Sequence, residues 1–298
     1  MQGRKIEKNE KSLRTEVFEA HRPHLRAVAY RMLGSLAEAE DAVQETWLRA
    51  SAADTSAVQN MGGWLTTIAT RTCLNALRSR ATRREEPLET TFGTGRPDGR
   101  PSPEQEMEAA DAVGIALLVV LDTLTPDERL AFVLHDLFAI SFDEIAAILE
   151  RSPASARQLA SRARRRVRGT SPAAPDTSRQ RKAVDAFLAA TRTGDFEALV
   201  ALLHPDVVLT ADPAVTPTPE PVVVLGAHTV ARGAMAAAGR ARFTGPALVD
   251  GALGLAMAPH GRLRLVLAFT TEPESGLITA VDVIAEPERL AALELSVA

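Results

Sequence analysis

The chain of 298 residues holds a single cysteine, Cys73. No disulfide can close within it and no cysteine-based zinc site can be assembled, which excludes disulfide-stapled scaffolds and suits a reducing setting. Long apolar runs are also missing. The longest, Ala112 to Leu121, is half of the ~20 residues that a membrane span needs. The first residues, with Arg4, Lys5, Glu7, Lys8 and Glu10, are too polar for a signal peptide, so a cytoplasmic location is expected. No glycine-rich phosphate loop and no repeat of solenoid period occurs. His21 and His24 stand three apart on a helical pattern, but no third ligand accompanies them, so no metal is expected. What is present is 46% hydrophobic and 24% charged residues, a folded composition, in a chain longer than one hydrophobic core usually serves.

The net charge of −4 is unevenly spread. Residues 1–170 are neutral overall, and the remainder supplies the whole excess of acid. Within the neutral part, Arg71, Arg78, Arg80, Arg83 and Arg84 form one acid-free basic stretch. Arg151, Arg157, Arg162, Arg164, Arg165, Arg166 and Arg168 form another. Two separated basic stretches in a mildly acidic chain point to local contact with a polyanion, although charge alone would equally fit solvated helix faces.

Composition divides the chain twice. Residues 85–103, with Pro87, Gly93, Gly95, Pro97, Gly99, Pro101 and Pro103, read as a flexible linker, and residues 169–178, with Pro172 and Pro175, as a second. Three modules follow: 13–84, 104–168 and 179–298. The first is helical: Val17, Leu25, Val28, Ala29, Met32 and Leu33 recur at helical spacing until Gly34 stops them. A second helix runs from about Leu36 through Val43, Trp47 and Leu48. A third starts near Trp64 and turns Leu65, Ile68, Ala69, Cys73, Leu74 and Leu77 inward. The second module opens helices with Thr125-Pro126-Asp127-Glu128 and Ser141-Phe142-Asp143-Glu144, both capping boxes. The third module changes period. Helices at about 180–193 and 196–203 precede extended segments at 207–210 and 222–225, a helix at 228–238, and strands from Arg262 to Leu267 and Leu277 to Ile284. Helices leading into a mostly antiparallel sheet make an α+β domain.

The segment from Ser141 to Arg168 carries the chemistry. A short helix with Phe142, Ile145, Ala146 and Leu149 inward ends at Glu150-Arg151, and Ser152-Pro153 starts the next. On that second helix Ala156, Leu159, Ala160, Ala163 and Val167 share one side. Arg157, Ser161, Arg164, Arg165 and Arg168 share the other, with Gln158 and Arg162 at its edge. A helix that enters the major groove needs this division: side chains near its start reach base edges, and later arginines reach phosphates. In the first module Asp41, Gln44, Glu45 and Arg49 share one polar helix face, and Thr67, Arg71, Asn75 and Arg78 line another opposite the apolar set. Strand separation needs such cationic and polar groups to hold phosphates and unstacked bases. Trp64 could stack on a base, but its place at a helix start favours a core anchor.

These motifs carry a family resemblance. The segments 124–132, 141–146 and 156–164 resemble region 4 of extracytoplasmic-function (ECF) sigma factors, which binds the −35 promoter element. Ala39-Glu40-Asp41-Ala42-Val43-Gln44-Glu45-Thr46-Trp47-Leu48 is similar to the region 2 helix that docks on the β′ clamp of RNA polymerase. Trp64 through Ser79 is similar to the part that melts and reads the −10 element. The resemblance implies core RNA polymerase (β′ clamp and β flap) and promoter DNA as partners, with no membrane partner and no cofactor. It assigns Ser155, Arg157, Gln158, Ser161, Arg162, Arg164 and Arg165 to the −35 element. Trp64, Thr67, Arg71, Asn75 and Arg78 fall to the −10 element, and Asp41, Gln44, Glu45 and Arg49 to polymerase.

Beyond the Arg-rich helix, Ala183–Leu188, Thr193–Leu199 and Leu203–Val207 resemble the opening of a SnoaL-like domain, a cone-shaped α+β fold. The expected architecture is therefore two all-α domains followed by an α+β domain. One sigma subgroup carries such an extension as a modulator. This chain departs from its motifs: Asp212-Pro213-Ala214-Val215 replaces Asp-Gly-Gly-Gly-Lys, Glu286-Pro287-Glu288-Arg289-Leu290 replaces Asn-Pro-Asp-Lys-Leu, and no Trp-Leu-Pro-Glu-Pro occurs in the linker. Fold relatives use an Asp or His for proton transfer, which makes His204, Asp206, Asp212, Asp250 and Asp282 candidates for catalysis on an unidentified small ligand. Fold analogy does not transfer function, so a regulatory role is preferred to an enzymatic one. The expected function is promoter-specific initiation as a sigma subunit. The alternatives are a helix-turn-helix regulator that does not act through polymerase, and an isomerase or cyclase activity in the C-terminal domain.

Overall fold

The structure, a computed structural model, describes residues 2–83, 114–169, 177–215, 218 and 220–297, so the linker read at 85–103 and most of that at 169–178 lie outside the described residues. By packing, the described residues fall into two units: 2–83 with 124–163, and 114–123 with 164–297.

The first unit begins with three helices, α1 (Gln2–Leu33), α2 (Leu36–Ala52) and α3 (Met61–Arg83). Gly34, at φ 79°, ends α1 with its N–H on the Tyr30 carbonyl, and Ser35 accepts from the Glu38 N–H to start α2. The three helices pack together over Phe18, Leu25, Val43, Ala50, Leu65 and Ala69, with Trp47 and Trp64 at the margin. Trp64 thus sits where a core anchor would. α3 buries Thr66 and Thr70 by turning each hydroxyl onto the carbonyl four residues earlier, at 2.8 and 2.7 Å. Cys73 is fully buried, and that burial pushes its thiol up to about 12. Iodoacetamide at pH 8 is therefore expected to leave the folded chain unmodified and to alkylate one thiol after denaturation; rapid alkylation of the native protein would contradict this burial.

The same unit continues with α5 (Pro126–Phe132), a π-helical turn (Val133–Leu137), α6 (Phe142–Leu149) and the first part of α7 (Pro153–Arg168). Both capping boxes form as the sequence indicates. α5 and α6 lie against α3, and the π-helical turn lies against α1. Arg129 is almost wholly buried because two of its N–H groups, at 3.2 and 3.1 Å, hold the carbonyl of Arg31 in the last turn of α1.

The second unit contains α4 (Ile115–Asp122), the end of α7, and the C-terminal α+β fold. Its helices are α8 (Thr177–Thr193), α9 (Phe196–Leu202), α10 (Ala227–Ala236), α11 (Ala238–Ala241) and α12 (Pro287–Ala292). Its strands are β1 (Leu203–Ala211), β2 (Val222–Leu225), β3 (Thr244–Val249), β4 (Ala252–Met257), β5 (Leu265–Thr271), β6 (Ile278–Ile284) and β7 (Leu295–Ser296). They form one seven-stranded sheet in the order β2-β1-β6-β5-β4-β3-β7, antiparallel except for the β1–β6 pair. Leu253, Leu255, Phe269 and Val281 point to the face covered by α8, which supplies Val184, Phe187 and Leu188. The strand expected from Arg262 starts only at Leu265, because Arg262 still closes the turn at Pro259.

Candidate nucleic-acid interface

The helix-turn-helix is built locally. α6 ends at Leu149, and Glu150 takes a left-handed conformation, φ 56°, that lets the Arg151 N–H reach back to the Ala146 carbonyl. Ser152 then caps α7 by accepting from the Ser155 N–H at 3.2 Å. Because a β-carbon is disfavoured at positive φ, Glu150→Gly is expected to raise the melting temperature by a few degrees, equivalent to ~0.5–1 kcal/mol. An unchanged or lower melting point would contradict that reading of the turn.

Under α7 lie Ala156, Ala160 and Ala163, all fully buried. Small side chains on this face seat the helix closely, so its opposite face projects. There Arg157, Gln158, Ser161 and Arg162 are exposed, and Ser155 is half-buried beside its cap. Arg157 lies over the ring of Phe142, 5.3 Å from its centroid, and His135 stacks on that ring at 3.8 Å. The stack pre-positions Arg157, since a cation over an aromatic face is attracted by the ring quadrupole. Arg164, half-buried, and Arg165, exposed, belong to the part of α7 in the second unit.

On α3, Arg71, Asn75 and Arg78 are exposed and Thr67 is half-buried, its hydroxyl bonded to the Gly63 carbonyl. The two arginines already have protein partners. Arg71 donates to the Ala147 carbonyl of α6 at 3.2 Å, and Arg78 pairs at 2.8 Å with Asp127 of α5. Asp127 also pairs with Arg151 at 2.8 Å. In this arrangement the cations of α3 serve the packing of α5 and α6, a use that spacing along α3 gave no sign of.

On α2, Asp41, Gln44 and Arg49 are exposed and Glu45 is half-buried. Glu45 pairs with Arg49 at 2.8 Å, and Arg49 also reaches the Thr72 hydroxyl at 3.2 Å. Leu48, at 60% exposed, completes the stripe from Asp41 and Gln44. An apolar side chain this open on a polar helix face was not singled out from sequence, although its seven-residue step from Asp41 was available as a signal.

Of the five C-terminal candidates, Asp212 and Asp282 are bridged by Arg289, and the five do not meet at one point. Asp212 is buried, accepts from the Ala285 and Glu286 N–H groups at 2.9 and 3.0 Å, and pairs with Arg289, which holds Asp282 at 2.8 Å. Burial pushes the Asp212 carboxyl up, but these N–H donors and Arg289 together hold it below the ordinary carboxylate range. Asp250 turns the β3–β4 corner at φ 49° and accepts from the Glu294 N–H. His204 accepts from the Asp206 N–H at one end of β1, and Asp206 is exposed. His21 lies against Gly62 and His24 against Phe138, and no cluster that could hold a metal occurs among the described residues. No helix among them is long and apolar enough to cross a membrane.

Comparison with known proteins matches two family models in chain order: Sigma-70 region 2 over residues 17–83 and Sigma-70, region 4 over residues 115–167. The ECF RNA polymerase sigma factor SigJ of Mycobacterium tuberculosis is 45% identical over 205 residues, 65% of this chain and 64% of that relative, so the match spans less than two thirds of its length. The probable ECF RNA polymerase sigma factor SigI of the same organism is 32% identical over 288 residues, covering 92% of this chain and 93% of that one. The crystal structure of the M. tuberculosis SigJ protein aligns over 93% of this chain and 98% of its own, at 34% identity and a TM-score of 0.45. With both region models in their order and a relative matched along nine tenths of its length, the chain belongs to the ECF RNA polymerase sigma factors.

Proposed function

We propose that this sigma factor binds core RNA polymerase, reads −35 DNA with α7 and −10 DNA with α3, and is modulated by its C-terminal α+β domain. In this reading 13–84 is region 2, 104–168 is region 4, and 179–298 is the SnoaL-like regulatory domain, all working in the cytoplasm. The observation that carries it is the outward row of Arg157, Gln158, Ser161 and Arg162 on a helix whose other face is fixed by three buried alanines. Such a row supplies donors to base edges and phosphates. Thr67, Arg71, Asn75 and Arg78, with Trp64 at the start of their helix, would meet the −10 element once Arg71 and Arg78 exchange their protein partners for phosphates. Asp41, Gln44, Glu45 and Arg49, joined by Leu48, would meet the β′ clamp, and region 4 the β flap.

Asp212 favours a structural over a catalytic role, since it is engaged by two backbone N–H groups and Arg289. Run-off transcription with core polymerase and genomic templates tests the reading. Promoter-specific transcripts are expected, and a protein that neither copurifies with core enzyme nor initiates anywhere would overturn it. Leu48→Glu is expected to weaken core binding by about 2 kcal/mol, the loss typical of a central interface side chain. Unchanged affinity in a pull-down titration would remove Leu48 from the contact.

A further inference from the structure

The residues that match region 4 are attached at both ends to one edge of the C-terminal sheet. At the start, α4 is apolar except for Asp122, and Ile115, Ala116, Leu118, Val119, Val120 and Leu121 are all buried. A helix that is apolar all round cannot stand in water and must be covered. In its own unit α4 lies on β3, β4 and β7. The strands there are shaped to receive it. Gly245 on β3 is paired with Ala256 on β4, and a β-carbon at Gly245 would come within 2.9 Å of the Ile115 β-carbon. Glycine is what lets the helix settle at that distance. At the other end, the last turn of α7 is tied to the same edge: the Val297 N–H donates to the Val167 carbonyl at 3.1 Å, and a β-carbon at Gly169 would collide with the Ser296 side chain.

We infer that the β4-β3-β7 edge is a docking face for the two ends of region 4, and that α4 must leave it before α7 can serve in a transcribing complex. The inference rests on the proposed regulatory reading of the C-terminal domain and names its contact. The match to region 4 begins at residue 115, so α4 is part of the DNA-binding module by sequence, yet it spends its apolar surface on the sheet. In the proposed released state α4 turns the same apolar residues onto the rest of region 4, so docked and released forms are two states whose balance polymerase and promoter shift by as much as they prefer the second.

A redox-controlled lock tests this in the full chain. Cys73 is buried with its thiol pushed up to about 12, so it stays out of the chemistry. The double variant Ile115→Cys with Gly245→Cys places two thiols where a small outward shift gives disulfide spacing. Oxidised protein is expected to lose at least about tenfold of its promoter-specific run-off transcription with core polymerase, and dithiothreitol to restore it. Equal transcription by oxidised and reduced forms would overturn the inference, and so would failure of the bond to form under oxidant, because it would deny that α4 sits on β3. Should the reduced protein initiate nowhere, the sigma reading itself fails, while a second measurement still judges the docking. In Gly245→Val, hydrogen exchange at residues 115–121 is expected to accelerate while β1 and β6 stay protected. Unaltered exchange at 115–121 would sink the docking face.

Discussion

Replacing Arg157 and Arg162 together by alanine is expected to abolish promoter-specific initiation while core-polymerase binding survives. Both side chains are exposed on the outer face of α7, away from the buried alanines, so their removal opens no cavity. A bidentate arginine contact to a base is worth about 1–3 kcal/mol, so the pair should cost ~30-fold or more in affinity for promoter DNA. Part of the Arg157 effect comes from the ring beneath it: Phe142, backed by His135, holds the guanidinium before DNA arrives. Arg157→Lys keeps the charge and loses the planar fork, so it should retain non-specific binding and lose discrimination. Titration of holoenzyme onto promoter and scrambled duplexes at two salt concentrations separates the effects. A double variant with wild-type initiation would show that α7 does not read the promoter.

Asp212→Asn is expected to destabilise the fold by about 2–4 kcal/mol. The carboxylate accepts two backbone N–H groups at the start of α12 and pairs with Arg289, and an amide can match only part of that set. Asp282→Asn, which alters the exposed end of the same arginine bridge, should cost under ~1 kcal/mol. The effect has a definite pH dependence. The folded carboxyl lies below its ordinary value, so its contribution is fully present above the unfolded value near ~4 and is lost as pH falls through the lower folded one. The gap in melting temperature between wild type and Asp212→Asn should therefore be widest at neutral pH and close on strong acidification. A gap that is constant with pH would mean that the charge is not what holds the β1 end to α12.

Much of the helical part was readable because its signals are local. The capping boxes at Thr125 and Ser141, the stop at Gly34 and the alanine stripe of α7 each depend on residues within two turns of one another. β3 and β4 were not readable. Thr244–Val249 contains Gly245, Pro246 and Ala247, and Ala252–Met257 is rich in helix formers, so neither shows the β-branched alternation of a strand. Their extended state comes from pairing with each other and with β5 and β7, and their small residues serve a helix that sequence did not place there. At the candidate site, the projecting face of α7 was legible from periodicity. The partners of Arg71 and Arg78 were not, since they come from residues 147 and 127, across a large separation in sequence. Leu48 lies in the segment likened to the polymerase-docking helix, but its exposure is set by packing and is not marked by its apolar type.

The order of synthesis adds a consequence to the seat of α4. Its platform is made last: β7 leaves the ribosome about 170 residues after α4, which at ~5–20 residues per second is a delay of about 10–30 s. The parallel pairing of β1 with β6 likewise cannot close until residues near 280 exist. If the sheet edge restrains region 4 as proposed, a newborn chain passes through an interval in which region 4 has emerged and its restraint has not, so each round of translation would make the unrestrained form before the restrained one.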